Sequence, residues 1–588
     1  MCYNIPGNRK GGWEMKRKLL TLLALLLCAA LLTGCAATPL TGGIGALFDD
    51  IFNKNEDEIP RFDEMPYERP ERALEDFAQN LVKLEELLSR KRLLSMITDV
   101  LDDCYRDYYT FDTMYTLAEI RCCQDLSDPF YAEEYAWCDD AYNELQQLIE
   151  KMYSLCGSSS RAKELEEHYF WPGFAAEYAE GESSGYSEET LELLHRESAL
   201  MAEYRGLIAA PIITLDDGTE VELYSYLNEA AGEDYTEAAM AYYRQYNGEM
   251  ARIYIALVRT RTALAKSLGY ESYEQMAYTR NFERDYTSED AARYLADIRE
   301  KIVPLYEQLE DYALEYPWLD EEDLLYVLEY ATEEMGGEVE EAFAYILRYR
   351  LYDVALRTNK ASKSFQTYLE DYESPFIFVD PYEDDEDILS LAHEFGHALD
   401  AYHNYNASES LDLSEFFSQA MEYLVLEYAE GVLPEKRLQN LRAIKWLDTL
   451  QLYVEQAAYA AFEEAVYAAD PETLSAKALQ EIALRCSKDY GLFDGENEEY
   501  LALSWFDVPH FFEQPFYVIS YPVSNDLALQ IWELEQGEKG AGLAKYLEAL
   551  PRKYYAILDT AEAVGLESPF APGRIARLAE DLKAVFSA

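Results

Sequence analysis

The stretch "DILSLAHEFGHALDAYH", Asp387 to His403, decides how the rest of the chain is read. His393 and His397 stand four residues apart around Glu394, in a chain with only 6 histidines among 588 residues. On an α-helix that spacing puts two imidazoles one turn apart on one face, close enough to reach a single ion, with Glu394 beside the ion and not needed as a ligand. Zinc lowers the pKa of bound water towards about 7, and a carboxylate so placed takes the proton as water attacks a carbonyl. Just upstream, "PYEDDED" loads the first turn with acidic side chains, which favours helix initiation at the positive end of the dipole. A buried helix with two hydrogen-bonded histidines would carry the same letters, but the scarcity of histidine and the intervening Glu weigh against it.

A catalytic zinc site takes three protein ligands and keeps one position open, so a third ligand is expected on another element. "DLSEFFSQAMEYLVLEYAE", Asp412 to Glu430, reads as a second amphipathic helix with several carboxylates. Glu415 lies near its start, after a loop long enough to reverse the chain. Glu422, seven residues on, shares its face and suits a role in orienting a ligand histidine. Spacing alone does not separate Glu415 from Glu409 or Glu422, and each also reads as a solvated helix carboxylate.

Together, "LSLAHEFGHA" and "SEFFSQAME" resemble the paired helices of the thimet oligopeptidase and oligoendopeptidase F family of zinc metallopeptidases. That resemblance implies Glu415 as third ligand and Glu422 as the later motif Glu. A second match is "WFDVPHFFEQPFYVISYPVSNDLALQIW", Trp505 to Trp532, similar to the family segment whose His and Tyr line the cleft opposite the metal; carried over, these are His510, Tyr517 and Tyr521. Tyr517 and Tyr521 share a face if this segment is helical, and a phenol there donates to a developing oxyanion. With 51 tyrosines in the chain, a Tyr pair equally fits an aromatic core. "SPFIFVDP", Ser374 to Pro381, resembles the strand that leads into the zinc helix of these enzymes; it reads either as a strand that pairs with an extended peptide or as a structural strand. The resemblance is patchy from about residue 205 to 560 and faint before. Two departures stand out. "NKASKSFQTY" lacks the glycines that often precede the substrate strand, and Asp400, on the zinc face, replaces a frequent His or Gln.

The N-terminus reads as an export signal. Lys16, Arg17 and Lys18 precede the apolar run Leu19 to Leu32, which is short for a membrane span of about 20 residues. Residues 1–14 fit no signal, so Met15 is an alternative start. "LLTGCAA" resembles the lipobox of bacterial lipoproteins, with cleavage before Cys35 and lipid on its sulfur, which supplies the two or more acyl chains that stable anchoring takes. The formal net charge of −64 argues against nucleic acid as a partner, because phosphate binding depends on Lys and Arg; it fits a solvated acidic surface or an acidic cleft that attracts cationic peptides. Cys104, Cys122, Cys123, Cys138 and Cys156 cluster without metal-ligand spacing, and outside the cytoplasm they predict one or two disulfides.

These readings give a signal peptide with lipobox over 1–35, a tether over 36–70, an N-terminal helical domain over 71–205 and a catalytic helical domain over 206–588. From Leu74, the positions Leu74, Phe77, Leu81, Leu84 and Leu88 step by three and four, and similar periodicity fills most of the chain. "IITLDDGTEVEL", Ile212 to Leu223, reads as a hairpin turning at Asp217-Gly218. The expected fold is all-α with a few short strands; the resemblance implies two lobes around a deep channel that admits short unstructured peptides. The expected activity is zinc-dependent oligoendopeptidase, one Zn2+ per chain, on the outer face of a bacterial membrane. A carboxypeptidase of a related helical zincin family and a non-catalytic peptide-binding lipoprotein are the competing readings, and the sequence says nothing of oligomeric state.

Overall fold

The computed structural model describes residues 59–587 apart from 91, 171–172, 179–186, 210, 228–232, 308–320, 382–385, 405–409, 494 and 552–555. The export signal, Cys35, Glu409 and most of the expected tether lie outside the described residues. In chain order, the elements used below are α1 (Glu71–Ser89), α2 (Leu94–Gln124), α3 (Pro129–Gly157), β1 (Ile212–Thr214), β2 (Glu220–Glu222), α4 (Glu233–Ser267), β3 (Tyr352–Asp353), β4 (Phe365–Leu369), β5 (Ser374–Phe378), α5 (Asp387–His403), α6 (Leu411–Tyr428), α7 (Glu435–Ala468), α8 (Pro509–Glu513) and α9 (Ser520–Gly537). Helices make up 74% of the structure, so the fold is all-α, as the periodicity predicts.

The chain divides into two compact units: Met1–Gly185 with Glu341–Pro381 and Asn404–Ser408, and Tyr186–Glu340 with Tyr382–His403 and Glu409–Ala588. These bounds differ from the expected break at 205/206, because a segment far along the chain returns to the first unit. There the Asp371 amide donates to Thr113 Oγ1 of α2, and the Ala361 amide donates to the Cys123 carbonyl. Within this unit the stripe Leu74, Phe77, Leu81, Leu84 and Leu88 of α1 is buried, against Ile97, Leu101 and Phe111 of α2 and Leu145, Ile149 and Met152 of α3. Each such side chain taken from water stabilises by about 1.5–3 kcal/mol. The start of α3 follows from Asp128, whose carboxylate accepts from the Phe130 amide ahead of a helix with Pro129 in its first turn.

Three expectations change in this unit. Order begins before residue 70: the Phe62 ring packs tilted against Phe376 with centroids 4.3 Å apart, and the Tyr67 hydroxyl and Arg69 Nε both donate to the Glu134 carboxylate. The Phe62 ring and the partly exposed Arg69–Glu134 ion pair hold this short irregular stretch, which shows no periodicity. The five clustered cysteines are unbridged and buried, packing as small apolar side chains rather than as disulfides. Third, β5 does form over "SPFIF", but it is the centre of a β3-β5-β4 sheet, parallel to β3 and antiparallel to β4, and all five of its residues are buried. β4 pairs along the whole length of β5 on one edge and β3 along Ile377–Phe378 on the other, which favours the structural-strand reading. A continuous apolar run is the mark of such an inner strand.

In the second unit the hairpin forms as read, with Gly218 at φ +86° and Asp217 accepting from the Thr219 amide. The site is built at the centre of this unit by α5, α6 and α9. Helix α6 is buried on nearly all sides, from Asp412 to Tyr428. Ser410 caps it, accepting from the Leu413 amide. The α5–α6 crossing is set at Gly396, where a methyl group would lie 2.5 Å from Ser418 Cα and 2.6 Å from the Phe417 carbonyl oxygen. Only glycine permits that approach of two backbones, so the Gly inside "HEFGH" is the reason the second helix can reach the histidines.

Candidate metal centre

One turn of α5 brings His393 and His397 to the same face, with Nε2 atoms 3.2 Å apart and rings near perpendicular. Glu415 enters from the second turn of α6, its Oε2 3.7 Å from His393 Nε2. These three donors all lie within 4.8 Å of one another, the one group of that kind among the described residues. A tetrahedral zinc ion with Zn–N bonds of 2.0–2.1 Å sets its nitrogens about 3.4 Å apart, so the donors already sit at the spacing such an ion takes. Two imidazoles and a carboxylate with one position left open also match the donor set of a catalytic rather than a structural zinc.

Each histidine is held from behind. His393 Nδ1–H donates to Glu422 Oε1 at 2.8 Å, and Glu422 Oε2 accepts from the buried Lys445 ammonium at 2.6 Å. Lys445 also lies 4.6 Å over the Tyr423 ring. His397 Nδ1 is 3.1 Å from Ser414 Oγ, which fixes the ring so that Nε2 faces inward. Burial would raise the Glu422 carboxyl, but Lys445 and His393 bring it below the usual range. Burial pulls His393 down, but the Glu422 hydrogen bond and the charges of Glu422, Glu415 and Glu394 raise it to about 9. His397, buried beside His393, is driven well below the usual value. The two rings therefore differ by environment, and the anionic cage favours a cation between them. Glu394 is buried, which with Glu415 and Glu422 pushes its carboxyl up to about 7 against the pull of His393. Its Oε2 has no hydrogen-bond partner, an orphan oxygen next to the donors.

The His510–Tyr521 segment converges on the same place. Tyr517 donates to Glu415 Oε1 at 2.7 Å. Its ring stacks on His510 at 4.9 Å, and the Tyr521 hydroxyl lies 3.3 Å from His510 Nε2. The simple aromatic-core reading does not account for Tyr517, whose buried phenol donates to a carboxylate. Asp400 is buried at 3% exposure but is not among the three donors; burial first and the Asp400 charge second raise the phenol of Tyr546, which donates to the Phe417 carbonyl. Lys445, Ser414 and Gly396 escaped the sequence reading. Of these only Gly396 carried a signal, as a helix-interior glycine between two candidate ligands.

Two family descriptions match the chain: peptidase M3 N-terminal domain over residues 62–176 and peptidase family M3 over residues 338–552. An oligoendopeptidase F homolog of Borreliella burgdorferi is 25% identical over 240 residues, covering 38% of this chain and 39% of that protein, so the match spans about two fifths of the curated relative. The fold is shared with a solved structure of PZ peptidase A with an inhibitor, at TM-score 0.72 and 23% identity over 90% of this chain and 99% of the other. It is shared less closely with oligoendopeptidase F from Enterococcus faecium, at TM-score 0.58 and 16% identity over 88% and 97%. With HExxH and Glu415 gathered at one point inside the second matched segment, the chain belongs to peptidase family M3, a family of metallopeptidases.

Proposed function

We propose that the protein is a zinc-dependent oligoendopeptidase that cleaves short unstructured peptides, with one Zn2+ held by His393, His397 and Glu415. The observation that carries this reading is the free, buried Glu394 Oε2 beside three converging donors. Zinc, when bound, supplies Lewis acidity that activates water and polarises the scissile carbonyl. Glu394 takes the proton of the attacking water at Oε2 and returns it to the leaving amine. Tyr521 and His510 stand as donors to the developing oxyanion, while Tyr517 steadies Glu415. We place the enzyme outside the cell, lipid-anchored through Cys35; the basic n-region, apolar run and "LLTGC" support this.

Glu394→Gln keeps the shape and removes the base. Turnover of a quenched fluorescent peptide should fall by about a thousandfold or more while elemental analysis still finds one zinc. Substantial residual activity would sink the assignment. Digestion of a mixed peptide library with and without a chelator, read by mass spectrometry, separates endopeptidase from carboxypeptidase cleavage and from binding without turnover.

A further inference from the structure

Tyr517 and Tyr521 project from a segment with an unusual backbone. Phe516, immediately before Tyr517, has φ +72°, a conformation that a bulky side chain adopts only when its surroundings impose it. The imposing groups are two buried side chains, a guanidinium and a carboxyl group. Arg284 Nη2 donates to the Phe516 carbonyl at 2.8 Å and to Ser520 Oγ at 2.7 Å, so it grips the residue that precedes each tyrosine. Glu463 of α7 accepts from the Phe516 amide at 2.9 Å. The same guanidinium lies 3.5 Å from Asp412, one turn before Glu415 on α6, and is enclosed by the rings of Tyr278, Phe282 and Tyr286. Arg284 thus joins the start of the helix that carries Glu415 to the loop that carries Tyr517.

Arg284 is itself delivered by irregular backbone. Helix geometry widens to a π-turn over Ala277–Asn281, and Glu283 follows at φ +47°. Two left-handed residues, one on each side of a single hydrogen bond, are more than a fold needs to close a loop. Such strain gathers where geometry is part of function. Arg261 does a related job four and five residues before Phe516: it donates to the carbonyls of Phe512 and Phe511, next to His510, while paired with Glu197 at 2.6 Å.

We propose that Arg284, opposed by Glu463, is a positioning residue that holds Phe516 in its left-handed conformation and so sets the Tyr517 hydroxyl on Glu415 and Tyr521 beside His510. The assignment rests on the peptidase reading above. It requires that Arg284 act through Tyr517 on the chemical step and leave substrate binding alone.

The test is a double-mutant cycle on the full zinc-loaded protein with Arg284→Met, Arg284→Lys, Tyr517→Phe and Arg284→Met/Tyr517→Phe. Arg284→Met should lower kcat by about a hundredfold, as expected for misplacement of a reacting constellation by about 1 Å. KM should stay within about twofold and the zinc content at one. Arg284→Lys, which keeps one donor, should recover part of kcat. The double variant should be no slower than the slower single variant, since both changes remove one function. Additive losses, a KM effect with kcat retained, or wild-type kinetics in Arg284→Met would overturn the proposal. Hydrogen exchange of the peptide spanning residues 513–521 gives an answer independent of turnover: Arg284→Met should speed its exchange about tenfold or more while α5 and α6 stay protected. Unchanged exchange there also overturns it. If the wild type shows no chelator-sensitive cleavage, the peptidase reading fails instead, and exchange alone judges the clamp.

Discussion

Helices α1 and α6 have nearly the same length and opposite logic. In α1 burial follows hydrophobicity: five apolar residues on one stripe face α2 and α3, and the charged residues lie outside. In α6 burial ignores it, since Asp412, Glu415, Gln419 and Glu422 are as enclosed as their apolar neighbours. A fully enclosed helix is ordinarily apolar all round, and each buried carboxylate is costly unless paired and hydrogen-bonded. Here each has an answering group: Tyr286 and Arg284 for Asp412, Tyr517 for Glu415, and His393 with Lys445 for Glu422. The bundle is thus stabilised by what it removes from water. The core of the second unit holds charges in fixed places at a cost to stability, which is the condition for chemistry.

This contrast can be broken at defined points. Lys445→Met strands the buried Glu422 carboxylate and should cost the most, about 3–5 kcal/mol by denaturant titration, with zinc affinity down by about 10–100-fold. If the loss is no larger than that of an exposed pair, the two helices do not differ as argued. Leu84→Ala, at a fully buried position of α1, should cost about 2–5 kcal/mol yet leave zinc content and kcat of the folded protein unchanged. Gly396→Ala should cost about 1–3 kcal/mol by forcing α5 from α6, and it should weaken zinc binding in a chelator competition. Glu463 sharpens the comparison through pH. Burial, only partly offset by the Phe516 amide, Arg284 and Arg261, raises its carboxyl to about 8. The folded state therefore keeps a proton that the unfolded chain has released, and stability falls as pH rises from the ordinary carboxylate range towards 8. Glu463→Gln should flatten that slope, and an unchanged slope would assign it to other groups.

Much of the site was legible because its parts lie close in sequence or repeat a recognisable segment. His393, Glu394 and His397 share one turn of helix, Glu415 and Glu422 share a face of the next, and His510, Tyr517 and Tyr521 fall within twelve residues. The groups that hold them were not legible, because tertiary folding alone assembles them. Arg284 meets Phe516 across 232 positions and Lys445 meets Glu422 across 23, and one Lys or Arg among 49 carries no local sign of its partner. Asp400, which register places on the zinc face of its helix, is buried and acts on the phenol of Tyr546 far along the chain, a neighbour that no local pattern signals. For the fold, stripes such as that of α1 were plain, whereas the return of Glu341–Pro381 to the first unit depends on contacts with no periodic signature.

The crossing at Gly396 has one more consequence. Because backbone rests on backbone there, the helix crossing itself brings the two histidines and Glu415 to coordinating distance. The receptacle is thus set by helix packing, unlike small zinc modules that fold only around their ion. Chelation should therefore silence the protein reversibly with its helix content retained, while the ion, which binds only the folded state, should still raise the Tm when restored.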